Sequence, residues 1–226
     1  MANKKYVTLY KYLPFSDDAD ECKFTFCVFK NNELFFAPRE KLNDPFEFLN
    51  ENNDPLINVR AVSLTNSNQN KLMWSHYANG HRGICIAIKV LEKYVCPIIY
   101  IKKNSKIDLS KIKNKPGVKK NVNFKVFNND LDYSVQKDRK WSYEKEYRIV
   151  LDIKNATNDN SVTKRDELYF FNRFKIIRIY YGVGFDFDNP NAKELEKILK
   201  KYPKIEKKKM KMAKDNYAVV PIDYEG

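Results

Sequence analysis

The 226-residue chain predicts an α+β fold built on a mainly antiparallel β-sheet with flanking helices. Segments rich in β-branched and aromatic residues outnumber helical ones, and the two kinds do not alternate as a βαβ array requires. With only six glycines, the chain contains neither G-x-G-x-x-G nor G-x-x-x-x-G-K, which excludes a Rossmann dinucleotide site and a P-loop as motifs. Hydrophobic residues at 43% and aromatics at 14% exclude disorder for most of the chain. Its length suits a single domain, 1–226, with a substantial core.

The elements follow in order. Val7-Thr8-Leu9-Tyr10-Lys11-Tyr12 reads as a strand that stops at Pro14. Phe24 to Phe29 reads as a short helix or strand, and Glu33 to Ala37 as a strand ended by Pro38. Asn43-Asp44-Pro45 starts a turn, and residues 48–58, rich in Asn and Asp, read as a loop. Val59 to Leu64 is a strand; Asn66-Ser67 then offer an N-cap to a helix near 68–79. Leu72, Met73, His76 and Tyr77 make the stripe of that helix, and Gly80 its stop. Gly83 to Val90 follows as a strand with Ile84, Ile86, Ile88 and Val90 on one face. Residues 102–120 read as helix plus loop, interrupted by Pro116-Gly117, and 121–127 as a strand.

Near residue 146, Tyr147, Ile149, Leu151 and Ile153 alternate with Glu146, Arg148 and Asp152, the pattern of a half-buried strand with charged groups at its start. Phe174 to Gly182 is another strand. Asn189-Pro190 caps a helix over 191–202, because proline at the first helical position loses no bond, and Leu195, Ile198, Leu199 and Tyr202 share its stripe. A basic strand and Tyr217 to Ile222 close the chain.

The formal net charge of +13 is concentrated: residues 102–120 and 200–214 each hold eight lysines against one acid. Two such patches form an electrostatic footprint for nucleic acid, since a lysine that neutralises phosphate releases counterions. A solvated lysine-rich surface accounts for them equally well, because lysine offers phosphate a point charge without sequence readout. No apolar run approaches the ~20 residues of a membrane span, and the N-terminal residues lack the order of a signal peptide, so a cytoplasmic protein is expected. Cys22, Cys27, Cys85 and Cys96 form no C-x-x-C pair, and with two histidines they supply no zinc spacing. Buried reduced thiols are expected.

Four blocks carry polar groups that packing does not demand: Tyr10-Lys11-Tyr12, Asn43 to Glu47, Leu72 to Gly83 with both histidines, and Trp141 to Arg148. The second is also readable as an Asx-turn. In the fourth, Glu144 and Glu146 at i and i+2 of a strand point to one face, about 7 Å apart along it, and Arg148 continues that face.

These blocks, with Ser63-Leu64-Thr65-Asn66 and Ile179-x-x-Gly182, resemble in order, over nearly the whole chain, a widespread bacterial domain family of unknown function. A second resemblance supplies a mechanism. A first strand with Tyr and Lys, a Ser-x-Thr strand end and a Glu-x-Glu strand opening are similar to the layout of mono-ADP-ribosyltransferases. That resemblance implies a split sheet holding NAD in a cleft without a glycine-rich loop. It makes Ser63 and Thr65 the bracing pair, Glu146 the catalytic acid at the nicotinamide ribose and Glu144 its partner toward the nucleophile. Tyr10 and Lys11 stand where the family carries Arg or His against the dinucleotide. His76, Tyr77 and Arg148 complete the NAD-binding set, and Asn43, Asp44 and Trp141 the substrate side, with no metal implied.

The chemistry supports Glu146 on its own terms: departing nicotinamide leaves an oxocarbenium-like ribose, which needs a fixed negative charge beside it. A macromolecular acceptor follows, nucleic acid on the strength of the lysine patches, in the manner of a bacterial toxin or phage-defence effector restrained by an antitoxin. Two other readings stay open. A metal-dependent nuclease would use Asp44, Glu47, His76, Glu144 and Glu146 as Mg²⁺ or Mn²⁺ ligands, although no D-x-E-x-K or H-N-H run is present. A noncatalytic nucleic-acid-binding module would use the lysine patches alone.

Overall fold

The computed structural model describes residues 4–49, 55–102, 133–154, 160–214 and 218–224. Its elements in chain order are β1 (Tyr6–Leu13), α1 (Lys23–Asn31), β2 (Leu34–Phe35), β3 (Ala37–Pro38), β4 (Val59–Thr65), α2 (Lys71–Tyr77) and β5 (Ile84–Leu91), then β6 (Cys96–Pro97), β7 (Ile99–Ile101), β8 (Gln136–Asp138) and β9 (Glu146–Asp152). The chain ends with β10 (Val162–Arg165), β11 (Leu168–Phe171), β12 (Phe174–Tyr181), α3 (Pro190–Leu199), β13 (Glu206–Met212) and β14 (Val219–Asp223). The fold is α+β, with antiparallel β1–β4, β3–β4, β6–β9, β10–β11 and β13–β14 pairs against parallel β7–β8 and β12–β13 pairs. Most of the lysine-rich segment 102–120, the strand expected at 121–127, and Tyr217 lie outside the described residues.

The chain groups into two compact units, one from Met1–Val7, Phe35–Ser63 and Val90–Arg173, the other from Thr8–Leu34, Leu64–Lys89 and Phe174–Gly226. In the first unit the order is β3-β4-β9-β6, with Ala37 opposite Ala61 and Cys96 opposite Arg148. Phe48, Val59 and Ala61 form one core cluster with Leu42, Leu56 and Val150; Cys96, Ile98 and Val135 form another with Tyr100. Parallel pairing of β7 with β8 sets Tyr100 opposite Lys137. That register draws a lysine from a polar run into the interior.

In the second unit the order is β14-β13-β12-β5-β1, with Tyr10 of β1 opposite Thr65. β5 is buried on both faces through Ile88, Cys85 and Ala87 being as inaccessible as Ile84, Ile86 and Ile88, while Lys89 beyond them is exposed. It therefore reads as a continuous apolar run, the habit of a strand covered on both sides, and not as the one-faced strand the alternation predicts. α3 begins as expected, Asn189 Oδ1 accepting from the Asn191 amide at 2.8 Å with proline in its first turn. Tyr202 falls beyond its end and is 43% exposed.

α2 starts later than expected, capped by Asn70, whose side chain accepts from the Leu72 amide at 3.0 Å. Its inward face is Met73, Trp74 and the following Ala78, whereas Leu72 and His76 are exposed. The predicted stripe is rotated by one residue, because Trp74, with its Nε1–H donating to Asn68 O at 2.8 Å, has the larger surface to bury. Asn79, Gly80 and His81 then adopt positive φ of 45°, 59° and 67°, turning the chain into β5. Gly182 N donates to Gly83 O at 2.9 Å and Gly184 N to His81 O at 3.0 Å. A Cβ on Gly182 would sit 2.1 Å from His81 O, and one on Gly83 2.4 Å from Leu13 O. The glycines of the His81-x-Gly83 and Ile179-x-x-Gly182 blocks thus serve close backbone packing. None of the four cysteines forms a disulfide, and among the described residues no helix is long and apolar enough to cross a membrane.

Candidate active site

β9 opens at Glu146, but the residues before it are not strand. Arg139–Glu144 form a 3₁₀ turn capped by Asp138, whose Oδ1 accepts from the Lys140 amide at 2.8 Å, and Lys145 reverses the chain at a left-handed φ of 45°. Glu144 therefore does not share the strand face of Glu146, which corrects the straight-strand spacing expected for the pair. The two carboxylates instead close on one ammonium: Lys137 Nζ lies 2.6 Å from Glu144 Oε2 and 3.3 Å from Glu146 Oε2. Glu47 Oε1 is 3.0 Å from the same nitrogen, an ion pair without the direction of a hydrogen bond.

Arg148, the next inward position on β9, completes the cluster. Its Nε donates to Glu146 Oε1 at 2.7 Å, its Nη2 to Glu146 Oε2 at 3.2 Å and to Glu47 Oε2, and its Nη1 to Ser134 O at 2.7 Å. The guanidinium lies over the Phe48 ring, 5.3 Å from its centroid, and Lys137 Nζ is 4.8 Å from that of Trp141. Burial is nearly total, at 1% exposure for Arg148, 2% for Glu144, 3% for Glu47 and 4% for Lys137 and Glu146. β9 is consequently buried on both faces: Ile149 and Leu151 as the alternation predicts, and Glu146 and Arg148 against it, with Tyr147 half-buried. All these residues belong to the first unit.

Three buried glutamates face two buried cations, so ionising all five groups leaves excess negative charge in a medium that solvates it poorly. Glu146 carries the consequence: burial, with Glu144 adding, pushes its carboxyl up to about 7, against the opposing effects of Lys137 and a hydrogen bond from Ser63. For Lys137 burial works against the charge, yet Glu146 and Glu144 hold its pKa above the ordinary value. Burial lowers that of Arg148, opposed by Asp44, and the guanidinium stays charged at neutral pH. Such networks are at best neutral for stability, and displaced carboxyls of this kind mark functional sites and structural ion clusters alike.

Ser63, which bonds Glu146, stands on β4, the neighbour of β9 in the sheet. Tyr100 Oη accepts from the Glu146 amide at 2.8 Å, and burial pushes the phenol up to about 12. Trp141 and Tyr143 are half-exposed, their ring centroids 6.0 Å apart.

Of the residues singled out in the sequence, Glu144, Glu146, Arg148, Ser63, Asp44, Asn43 and Trp141 fall in this first unit; Tyr10, Lys11, Thr65, His76 and Tyr77 fall in the second. Asp44 is buried and makes the Asx-turn, its Oδ1 accepting from the Phe46 amide at 3.0 Å, while Asn43 is exposed. Tyr10 packs on Tyr180, centroids 6.1 Å apart, and half-buried Lys11 lies beside it on β1. Thr65 is buried, its Oγ1 accepting from the Ser67 amide at 3.3 Å. His76 meets the edge of Tyr77 at 6.2 Å, and His81 stacks on Trp74 at 6.4 Å. Burial lowers the pKa of His81.

Sequence reasoning missed Lys137 and assigned Glu47 only to a metal set. Lys137 sits in Lys137-Asp138-Arg139-Lys140, which reads as a solvated run; the usable signal was Trp141 four residues on, an aromatic able to cover a lysine stem and head. Glu47, Glu144 and Glu146 converge on an ammonium, which stands where the nuclease reading needs a metal ion, and exposed His76 belongs to the other unit. Among the described residues no group of three or more His, Cys, Asp or Glu side chains is arranged to hold a metal. Part of the second lysine patch is internally paired: Lys207 with Glu196, Lys208 with Asp223, and Glu206 with Arg178. Lys200, Lys201, Lys204, Lys211 and Lys214 are exposed.

No curated protein and no solved structure matches the chain. The family resemblance is narrower than the blocks suggest: the match begins at Met73 and ends at Ile149, so the blocks around Tyr10, Asp44, Ser63 and Gly182 lie outside it. Residues 73–149, which contain the Met73 to Gly83 block, the 3₁₀ turn and the first half of β9, match the family described as Protein of unknown function (DUF2971).

Proposed function

We propose that the chain is an NAD-dependent ADP-ribosyltransferase of split-sheet type that modifies nucleic acid, with Glu146 as the carboxylate at the reacting ribose. The observation that supports this reading is that β4 and β9 are neighbours in the sheet and that Ser63, on β4, acts on the Glu146 carboxyl to lower its pKa. The resemblance of the Ser63-x-Thr65 and Glu144-x-Glu146 blocks to mono-ADP-ribosyltransferases makes Ser63 a residue that braces the site and Glu146 its catalytic acid.

The surroundings of Glu146 fit the nicotinamide-ribose end of NAD: a carboxylate oriented by Ser63, Lys137 and Arg148, with the half-exposed rings of Trp141 and Tyr143 nearby in the same unit. When bound, NAD supplies the ADP-ribosyl group and releases nicotinamide. In its ionised form, which gains ground as pH rises through about 7, Glu146 places negative charge where positive charge develops, and its hydrogen-bond donors keep it from reorienting. Glu144 takes the proton of the acceptor nucleophile. Arg148 and Lys137 act through Glu146 as positioning residues; both are committed to glutamates, so the pyrophosphate needs other cations. With Glu146 4% exposed, productive binding has to displace Trp141, whose ring lies against Lys137. The exposed lysines of 200–214 offer the acceptor its phosphate contacts, and an enzyme of this kind in a cell calls for a restraining antitoxin.

Incubation of the full chain with labelled NAD and single- or double-stranded oligonucleotides tests the reading. Label should pass to nucleic acid, and Glu146→Gln should lower the rate about 10²–10³-fold. Absence of both label transfer and NAD turnover would overturn it, and Mg²⁺-dependent strand cleavage without NAD would replace it with the nuclease reading.

A further inference from the structure

The second unit contains a cavity of about 350 Å³, within the range of small-molecule sites. Its floor is apolar: Val28 and Phe29 from the last turns of α1, Phe174 and Ile176 from the start of β12, and Ile205 from the segment joining α3 to β13. Phe29 is 2% and Val28 1% exposed, so the floor is part of the core. Lys175, Lys201 and Lys204 also line it. All three are exposed, and none has an acidic partner among the described residues. Neighbouring lysines differ: Lys30 pairs with Glu194 at 3.4 Å, and Lys207 with Glu196.

An apolar floor beneath three cations selects a particular chemistry. A free phosphate or a nucleic-acid backbone would satisfy the lysines and leave the floor wet. A nucleobase would bury polar ring edges against Val28, Phe29, Phe174, Ile176 and Ile205, with Asn32 and Tyr202 as the uncharged polar side chains of the lining, too few to meet a base edge whose unmet hydrogen bonds cost more than apolar contact returns. An acyl or aryl group covers the floor at a gain proportional to the area removed from water, while a carboxylate or phosphate monoester at its end reaches the ammonium groups. We propose that this cavity is a binding site for a small amphipathic anion, an apolar chain or ring bearing one acidic head group. The site lies entirely in the second unit and uses neither Glu146 nor Glu144, although Lys201 and Lys204 are also among the lysines offered to the acceptor above.

Calorimetric titration of the full chain with decanoate, kept below its micelle concentration, tests the proposal, with decanol, AMP and inorganic phosphate as comparison probes. Decanoate should bind saturably and more tightly than decanol, and octyl phosphate should compete with it; the relative affinities of the two anions show which head group is preferred. The variant K175E/K201E/K204E changes only exposed side chains. It should weaken decanoate roughly tenfold or more while leaving decanol unchanged. Ile205→Trp, which fills the floor, should abolish binding of both. No saturable decanoate binding, equal affinity for decanol, or affinity untouched by the lysine variant would overturn the proposal. Binding of AMP in preference to decanoate would do so in favour of a nucleotide.

Discussion

Glu144 and Glu146 place carboxylate oxygens 2.6 and 3.3 Å from the same Lys137 Nζ, although the left-handed Lys145 between them breaks the strand they were expected to share. The reversal turns a pair that would lie along one strand face into a pair that meets at one cation. Lys137, with Arg148, is therefore one of the two cations on which the cluster depends for charge balance.

Replacing Lys137 by Met should destabilise the protein by about 3–5 kcal/mol, the usual consequence of removing one partner from a buried ionic cluster. Adding Glu144→Gln to that variant should recover part of the loss, because one fewer carboxylate is left uncompensated. Urea unfolding of the single and double variants measures both. A double variant less stable than Lys137→Met would show that Glu144 is held by something other than its charge.

Stability should depend on pH through Glu146. Its carboxyl titrates near 7 in the folded chain against an ordinary 4.5, so the folded state holds this proton more tightly than the unfolded state does. The contribution is full below about 4.5 and is lost as pH rises through about 7, an effect on the order of 3 kcal/mol. Lys137, with its pKa raised, keeps its charge across that window. Glu146→Gln should remove this component, visible as a difference in slope between the two proteins in unfolding experiments from pH 4.5 to 7.5. Parallel curves would mean that Glu146 stays ionised.

Ser63→Ala should move the Glu146 titration further upward, since the Ser63 hydrogen bond favours the charged carboxylate. A ¹³C NMR titration of side-chain carboxyls reads this directly, and an unshifted signal would remove Ser63 from the site.

Two glycines should respond differently to alanine. A Cβ on Gly182 would lie 2.1 Å from His81 O, so Gly182→Ala forces two backbone segments apart and should cost about 3 kcal/mol or more. Gly80 has a φ of 59° but no neighbour within 4 Å of a Cβ, so Gly80→Ala should cost only about 1–2 kcal/mol, the penalty of the left-handed backbone. The ranking of melting temperatures checks the distinction.

Neutralising the exposed Lys200, Lys201, Lys204 and Lys211 should reduce the log–log salt slope of duplex binding by up to ~4 × 0.9. Neutralising Lys207 and Lys208, already paired with Glu196 and Asp223, should change it less. Equal effects, measured by fluorescence anisotropy between ~50 and ~200 mM salt, would make the internal pairs irrelevant to binding.

What the sequence determined by itself is local. The strand at Tyr6–Leu13, the Asn189-Pro190 start of α3 and the Asx-turn at Asp44 follow from residues within one turn or one strand of each other, where steric and capping preferences act. The α+β class and the predominance of antiparallel pairs follow from the order of those elements. The blocks holding Ser63, Asp44, Glu144, Glu146 and Arg148 were also legible, because polar groups beside apolar alternation stand out. Only the tertiary structure decided which face of α2 turns inward, since Leu72 and Met73 fit a helical stripe as well as Met73 and Trp74 do until the neighbours of Trp74 are present. It also decided the burial of Lys137, which depends on β8 pairing with β7, and the partnership of Arg148 with Glu47, 101 residues away. Hydrophobic period records which side of an element is apolar, whereas charge neutralisation in a low-dielectric interior depends on groups from distant segments, and no local pattern encodes their meeting.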